Sequence, residues 1–225
     1  MKEDSKEIRS EKAIYSLVET IKKSPDILSG VGDVAIEVLN SESSSGIPIV
    51  SWAVNILKMR DEWRLIKMKK NILSFLSALQ SSDTEKIQTF LDKAKEDKEF
   101  AEEFIDTFLT LIYESEKPVK LKLTANLLDS LSKGSVEKKH FLILLLVIHS
   151  SSVPGLESVC EFVEENEHDY PFSHPRPPQE ALLMSTGLSE RFGTNFRLSR
   201  LGIILYNHAF KGSKRPKGIF AQSEG

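Results

Sequence analysis

The chain has 225 residues, 40% of them hydrophobic and 28% charged, with a net charge of −3. That composition excludes wholesale disorder and allows one large domain or two small ones with a sizeable core. A single cysteine, Cys160, excludes an intramolecular disulfide framework. The charged start, MKEDSKEIRSEK, lacks the apolar core of a signal peptide, and no run reaches the roughly 20 apolar residues that span a bilayer. A cytoplasmic location is the expectation. The charge is unevenly spread: residues 1–170 hold 22 Lys/Arg against 30 Asp/Glu, a net of −8, and residues 171–225 hold 8 against 3, a net of +5. A basic end on an acidic body points to a negative partner for that end.

Periodicity predicts a first amphipathic helix from Glu7 to Lys23, with Ile8, Ile14, Leu17, Val18 and Ile21 on its apolar side. Ser24-Pro25-Asp26 reads as a stop and restart, opening a helix to about Asn40 that contains Gly30 and Gly32. The polar loop SESSSG (41–46) follows. The stretch from Ser45 to Gln80 is the expected organiser, as one long helix or a pair. Ile49, Trp52, Ala53, Ile56, Met59, Trp63 and Ile66 recur at helical spacing, and Leu65, Met68, Ile72, Phe75, Leu76 and Leu79 continue the stripe. A single helix of that length would span about 50 Å, so a bend is expected near Arg60–Glu62. Lys67, Lys69 and Lys70 form a basic patch along it.

Ser82 and Glu85 fit a capping box opening a short helix with Ile87, Phe90, Leu91 and Ala94. Asp97 caps the next, striped by Phe100, Ala101, Phe104, Ile105, Phe108, Leu109 and Ile112. Pro118 starts another, Gly134 ends it, and Ser135 is placed to cap its successor. The run 141–148, FLILLLVI, is apolar all round and is expected to be buried. Pro154 starts a further helix carrying Leu156, Val159, Cys160 and Val163. NEHDYPFSHPRPP (166–178) has no periodicity. A short helix then ends at Thr186-Gly187-Leu188, Arg191–Leu198 reads as a β-hairpin turning at Gly193-Thr194-Asn195, and Ser199 caps a last helix. The expected fold class is therefore all-α: a helical bundle (1–166), a Pro/His-rich loop (167–178), a small helix-and-hairpin element (179–210) and a basic disordered tail (211–225).

The segment LLMSTGLSERFGTNFRLSRLGIILYNHAF (182–210) resembles the end of a winged-helix domain. In that family a helix ends in Gly-Leu, a two-stranded wing follows, and a Tyr-x-Leu-Thr-x-x-Gly junction starts the closing helix. Here the junction is Phe196-Arg197-Leu198-Ser199-Arg200-Leu201-Gly202, and a proline-rich loop stands where the family carries its helix-turn-helix. More broadly, IPIV, a Trp-containing helix, a Lys-Lys pair before Phe-Leu-x-x-Leu and acidic amphipathic helices across residues 25–210 resemble uncharacterised bacterial helical proteins. Some of these are associated with phage resistance of the abortive-infection kind. The resemblance implies a bacterial intracellular protein of no known enzymatic activity, with phage defence as the setting to be expected.

Catalytic signatures are weak. His168, Asp169 and His174 share one loop, but a zinc site wants four ligands at short spacings, so no metal or cofactor is expected. Cys160 lies on an apolar stripe, where cysteine behaves as a small hydrophobe. Glu102-Glu103 and Glu164-Glu165 diverge by about 100° on their helices, and there is no P-loop or GxGxxG. Three functions remain. The first is a module that binds a protein partner or itself, with Trp52, Trp63, Lys67 and Lys70 as the candidate contacts. The second is nucleic-acid binding through Arg191, Arg197, Arg200, Lys211, Lys214 and Arg215. The third is a membrane-active hairpin built from Ile27–Leu39 and Ile47–Leu57, disfavoured because Asp33 and Glu37 are expensive in lipid.

Overall fold

The computed structural model describes residues 2–29, 47–57, 61–165, 172–173, 179–193 and 195–210. The fold is an all-α multi-helix bundle with a small antiparallel sheet near its C-terminal end. The packing divides into two compact units, residues 1–138 and 139–225. The division drawn from composition, after residue 166, instead follows a proline-rich change of texture.

In the first unit, α1 (Lys2–Lys22) and α2 (Ser24–Ser29) precede α3 (Pro48–Leu57) and α4 (Glu62–Leu79). Gly30, Gly32 and the SESSSG loop lie outside the described residues, as does most of the first arm of the suggested membrane hairpin. The stretch expected to organise the chain is thus two helices. The break falls where the bend was expected: Asp61 leaves helical geometry and its Oδ1 accepts the backbone N–H of Trp63 at 3.1 Å. α3 starts with Pro48, whose missing N–H suits the first helical position. The next donor, Ile49 N–H, is received at 3.0 Å by Thr20 Oγ1, fully buried on α1. α1 therefore shares the organising role, packing on α3 as well as on α5 (Thr84–Ala94) and α6 (Lys98–Glu114).

Asp83, not Ser82, caps α5: its carboxylate accepts Lys86 N–H at 3.1 Å. The charged oxygen at the positive end of a helix outdoes a hydroxyl one residue too early. Asp97 caps α6 as expected, accepting Phe100 N–H at 3.2 Å. Within the core, Phe75 meets Phe108 edge-on at 5.0 Å, and Phe104 and Phe108 lie 5.6 Å apart. α7 (Val119–Ser132) packs on α4 and ends at Gly134, whose φ is +74°. Ser135 serves this ending, donating its N–H to Ser130 O at 2.9 Å, rather than capping the next helix, which begins only at Lys138.

The second unit begins in α8 (Lys138–Ser150), continues through α9 (Val153–Glu165), and then runs β1 (Phe172–Ser173), α10 (Glu180–Thr186), β2 (Ser189–Phe192), β3 (Asn195–Leu198) and α11 (Arg200–Ile204). α8 is not buried all round. Phe141, Leu144, Leu145 and Ile148 are buried, but Leu146 is 48% exposed, as on a helix that hides only one face. β1 arises in the proline-rich segment read as structureless and pairs with β3, giving the strand order β1-β3-β2. The hairpin forms where expected, with Ser189 opposite Leu198 and Phe192 opposite Asn195. Ser199 caps α11 by accepting Gly202 N–H at 3.2 Å.

Candidate functional site

Helix α4 has two faces. Met68, Lys69, Asn71, Ile72, Phe75, Leu76 and Leu79 turn inward and are buried. At 100° per residue, Trp63, Ile66, Lys67 and Lys70 fall on the opposite side at spacings i, i+3, i+4 and i+7. Trp63 is 69% exposed, so it does not belong to the apolar core stripe to which spacing assigned it. Ile56, seven residues earlier on the same stripe, is exposed as well, so the spacing marks a shared helical face without showing that anything covers it. Lys69 also departs from the expected basic patch. It is 2% exposed, and burial lowers its pKa.

The connection from α6 to α7 runs along the edge between these two faces, held by three side chains of α4. The buried Asn71 amide donates to Ile112 O at 2.8 Å and Ser115 O at 3.0 Å. Ser74 Oγ donates to Pro118 O at 3.1 Å, and Lys67 Nζ to Glu114 O at 3.2 Å. These acceptors include carbonyls in the last turn of α6, which have no partner within their own helix. Farther up α4, Arg64 donates to the Tyr113 hydroxyl and lies 5.3 Å from that ring's centroid, while its Nε pairs with Asp61 at 3.4 Å.

A cleft of about 480 Å³ results, lined by Trp63, Ile66, Lys67, Lys70, Glu116 and Lys117. That volume lies within the range of ordinary ligand pockets. Lys67 Nζ sits 5.6 Å from the Trp63 ring centroid, a cation–π contact that fixes one face of the indole. The side-chain ammonium groups of Lys70 and Lys117 make no ion pair or hydrogen bond among the described residues. Three of the four candidate partner contacts therefore come together, with Ile66, Glu116 and Lys117 added. Trp52 does not line the cleft and is half-buried on α3. Spacing alone had placed Trp63 and Ile66 on the core stripe and Lys67 and Lys70 in a separate basic patch, whereas Glu116 and Lys117 arrive from a loop some fifty residues away and had no local signal.

The candidate nucleic-acid residues are differently placed. Arg191 Nε donates to Glu180 at 3.0 Å and Arg197 Nε to Glu190 at 2.8 Å, so carboxylates of the same unit already face both guanidinium groups. Arg200 is exposed on the first turn of α11. Lys211, Lys214 and Arg215 lie outside the described residues, as do His168, Asp169 and His174.

Among the described residues, no three His, Cys, Asp or Glu side chains gather as metal ligands. Burial, reinforced by Glu164, Glu157 and Glu161, pushes the Cys160 thiol up to about 12, leaving it protonated and a poor nucleophile at neutral pH. No single described helix is long and apolar enough to cross a membrane; α8 and α9 approach that composition only as a pair bent by 118°. Comparison with protein-family models, curated proteins and solved structures found no match.

Proposed function

We propose that this protein acts by binding rather than by catalysis, and that the outward face of α4 takes a protein partner. The observation that carries this reading is Trp63. A large aromatic residue, 69% exposed, stands in a concave site whose opposite wall is fixed by hydrogen bonds from the same helix. Exposed tryptophans in preorganised clefts are favoured anchors of protein interfaces, since little ordering entropy remains to be lost on binding. A role in phage defence, which the resemblance of residues 25–210 implies, would place the partner among the components of an infected bacterial cell.

Site-directed photo-crosslinking tests the reading. A benzophenone amino acid at position 63 is expected to yield a discrete adduct in cells, one that the same group at Tyr15, another exposed aromatic residue of this unit, does not form. Equal adduct patterns at both positions, or none at 63, would sink it.

A further inference from the structure

Resting on that reading, we infer that the cleft's occupant is an acidic peptide segment of the partner, with an apolar side chain flanked by carboxylates. The lining carries three lysines, Lys67, Lys70 and Lys117, against one carboxylate, Glu116. The unit around it is the other way: residues 1–138 hold 21 Lys/Arg against 24 Asp/Glu. A local positive site on a negative surface selects an anion at the cleft and turns acidic surfaces away elsewhere.

The lysines divide the work. Lys67 is spent inside the protein, donating to Glu114 O and covering one face of Trp63. Lys70 and Lys117 keep their ammonium groups for an incoming acceptor. Trp63 and Ile66 supply the apolar contact between them. From Trp63 to Lys70 the helix rises about 10 Å, which matches about three residues of extended chain. Glu116 argues for a peptide over a phosphate-rich surface. Its carboxylate accepts hydrogen bonds, which peptide N–H groups supply and an ionised phosphodiester cannot.

The test uses full-length protein carrying Trp52→Phe, so that Trp63 alone reports by fluorescence. The probe is the blocked peptide Glu-Glu-Leu-Glu-Glu, with Gln-Gln-Leu-Gln-Gln as the neutral control. Saturable change in Trp63 emission is expected with the acidic peptide only. It should weaken about tenfold between about 50 mM and about 300 mM NaCl, since exposed charge pairs are screened by salt. K70E combined with K117E should abolish it while circular dichroism stays unchanged. Equal binding of the neutral peptide, or undiminished binding by the double variant, overturns the inference. So does a Trp63 response to phosphatidylserine vesicles without one to the peptide. If crosslinking at position 63 captures a partner while the peptide is silent, protein binding at α4 stands and its acidic chemistry falls.

Discussion

Asn71 is a polar residue in the middle of the buried face of α4, and its amide explains its presence. Both amide hydrogens go to carbonyls at the end of α6, Ile112 and Ser115. Asn71→Leu keeps the size but leaves those buried acceptors unpaired, so a loss of about 1–3 kcal/mol is expected by urea unfolding. Asn71→Asp should cost more, because a carboxylate oxygen would then face carbonyl oxygens. A loss with Leu as large as that with Asp would mean that packing, not hydrogen bonding, holds the connection. Asp97 makes a pH prediction. Its carboxyl is held below its ordinary range by the hydrogen bond from Lys138 and then by Phe100 N–H. A group with a depressed folded-state pKa stabilises above its unfolded value, about 3.9, and that stabilisation disappears as pH falls through the folded-state value. Stability should therefore fall on acidification below about pH 5 more steeply in the wild type than in Asp97→Asn, which retains a capping oxygen. Solvent screens this half-exposed pair, so the difference should stay under about 1 kcal/mol. Parallel acid limbs in the two proteins would remove the Asp97–Lys138 pair from the account.

At the scale of elements, helices were legible wherever cap and stripe agreed. Asp97 with its phenylalanine stripe and Ser199 before the last helix appear as read. Reading failed where a tertiary partner decided the outcome. Trp63 follows Ile56 by two full helical turns and shares its exposure, because periodicity shows which residues share a face and not whether another element covers it. β1 is two residues long and exists only through its pairing with β3, so no local alternation announced it. The end of the hairpin shows the opposite case, where one residue type carries the geometry. At Gly202 a Cβ would lie 2.4 Å from Leu188 O, the same carbonyl that accepts Ser199 N–H at 2.8 Å. Gly202→Ala gains roughly 1 kcal/mol of helix propensity. It must also displace a backbone carbonyl already engaged in a hydrogen bond, and overpacking of this kind costs about 1–3 kcal/mol before that bond is counted. Net destabilisation is expected, read as a lower urea midpoint. A neutral or stabilised variant would show that α11 can shift away from Leu188 at little cost.

At the scale of the molecule, composition and packing draw different lines through the chain. The proline- and histidine-rich segment suggests a division after residue 166, but α9 packs on α10 beyond it, and Phe162 of α9 meets Phe196 of β3 edge-on at 5.8 Å. Compactness depends on which apolar faces meet, and a sequence shows those faces without their partners. The two divisions make opposite predictions for fragments. Residues 1–138 retain the Phe75–Phe104–Phe108 core, the Asp97–Lys138 pair and the whole α4 cleft. That fragment should unfold cooperatively. A fragment of residues 1–166 adds α8 and α9 but strips α9 of its cover, baring Leu156, Val159, Phe162 and Val163, all buried in the full chain. Fully burying each such side chain is worth about 1.5–3 kcal/mol, and an exposed face of that size binds hydrophobic dyes and associates. The longer fragment should therefore bind anilinonaphthalene sulfonate more strongly and aggregate at lower concentration than the shorter one. The reverse, a molten 1–138 and a monomeric, cooperative 1–166, would show that α8 and α9 complete the first unit and that the proline-rich segment is the true boundary.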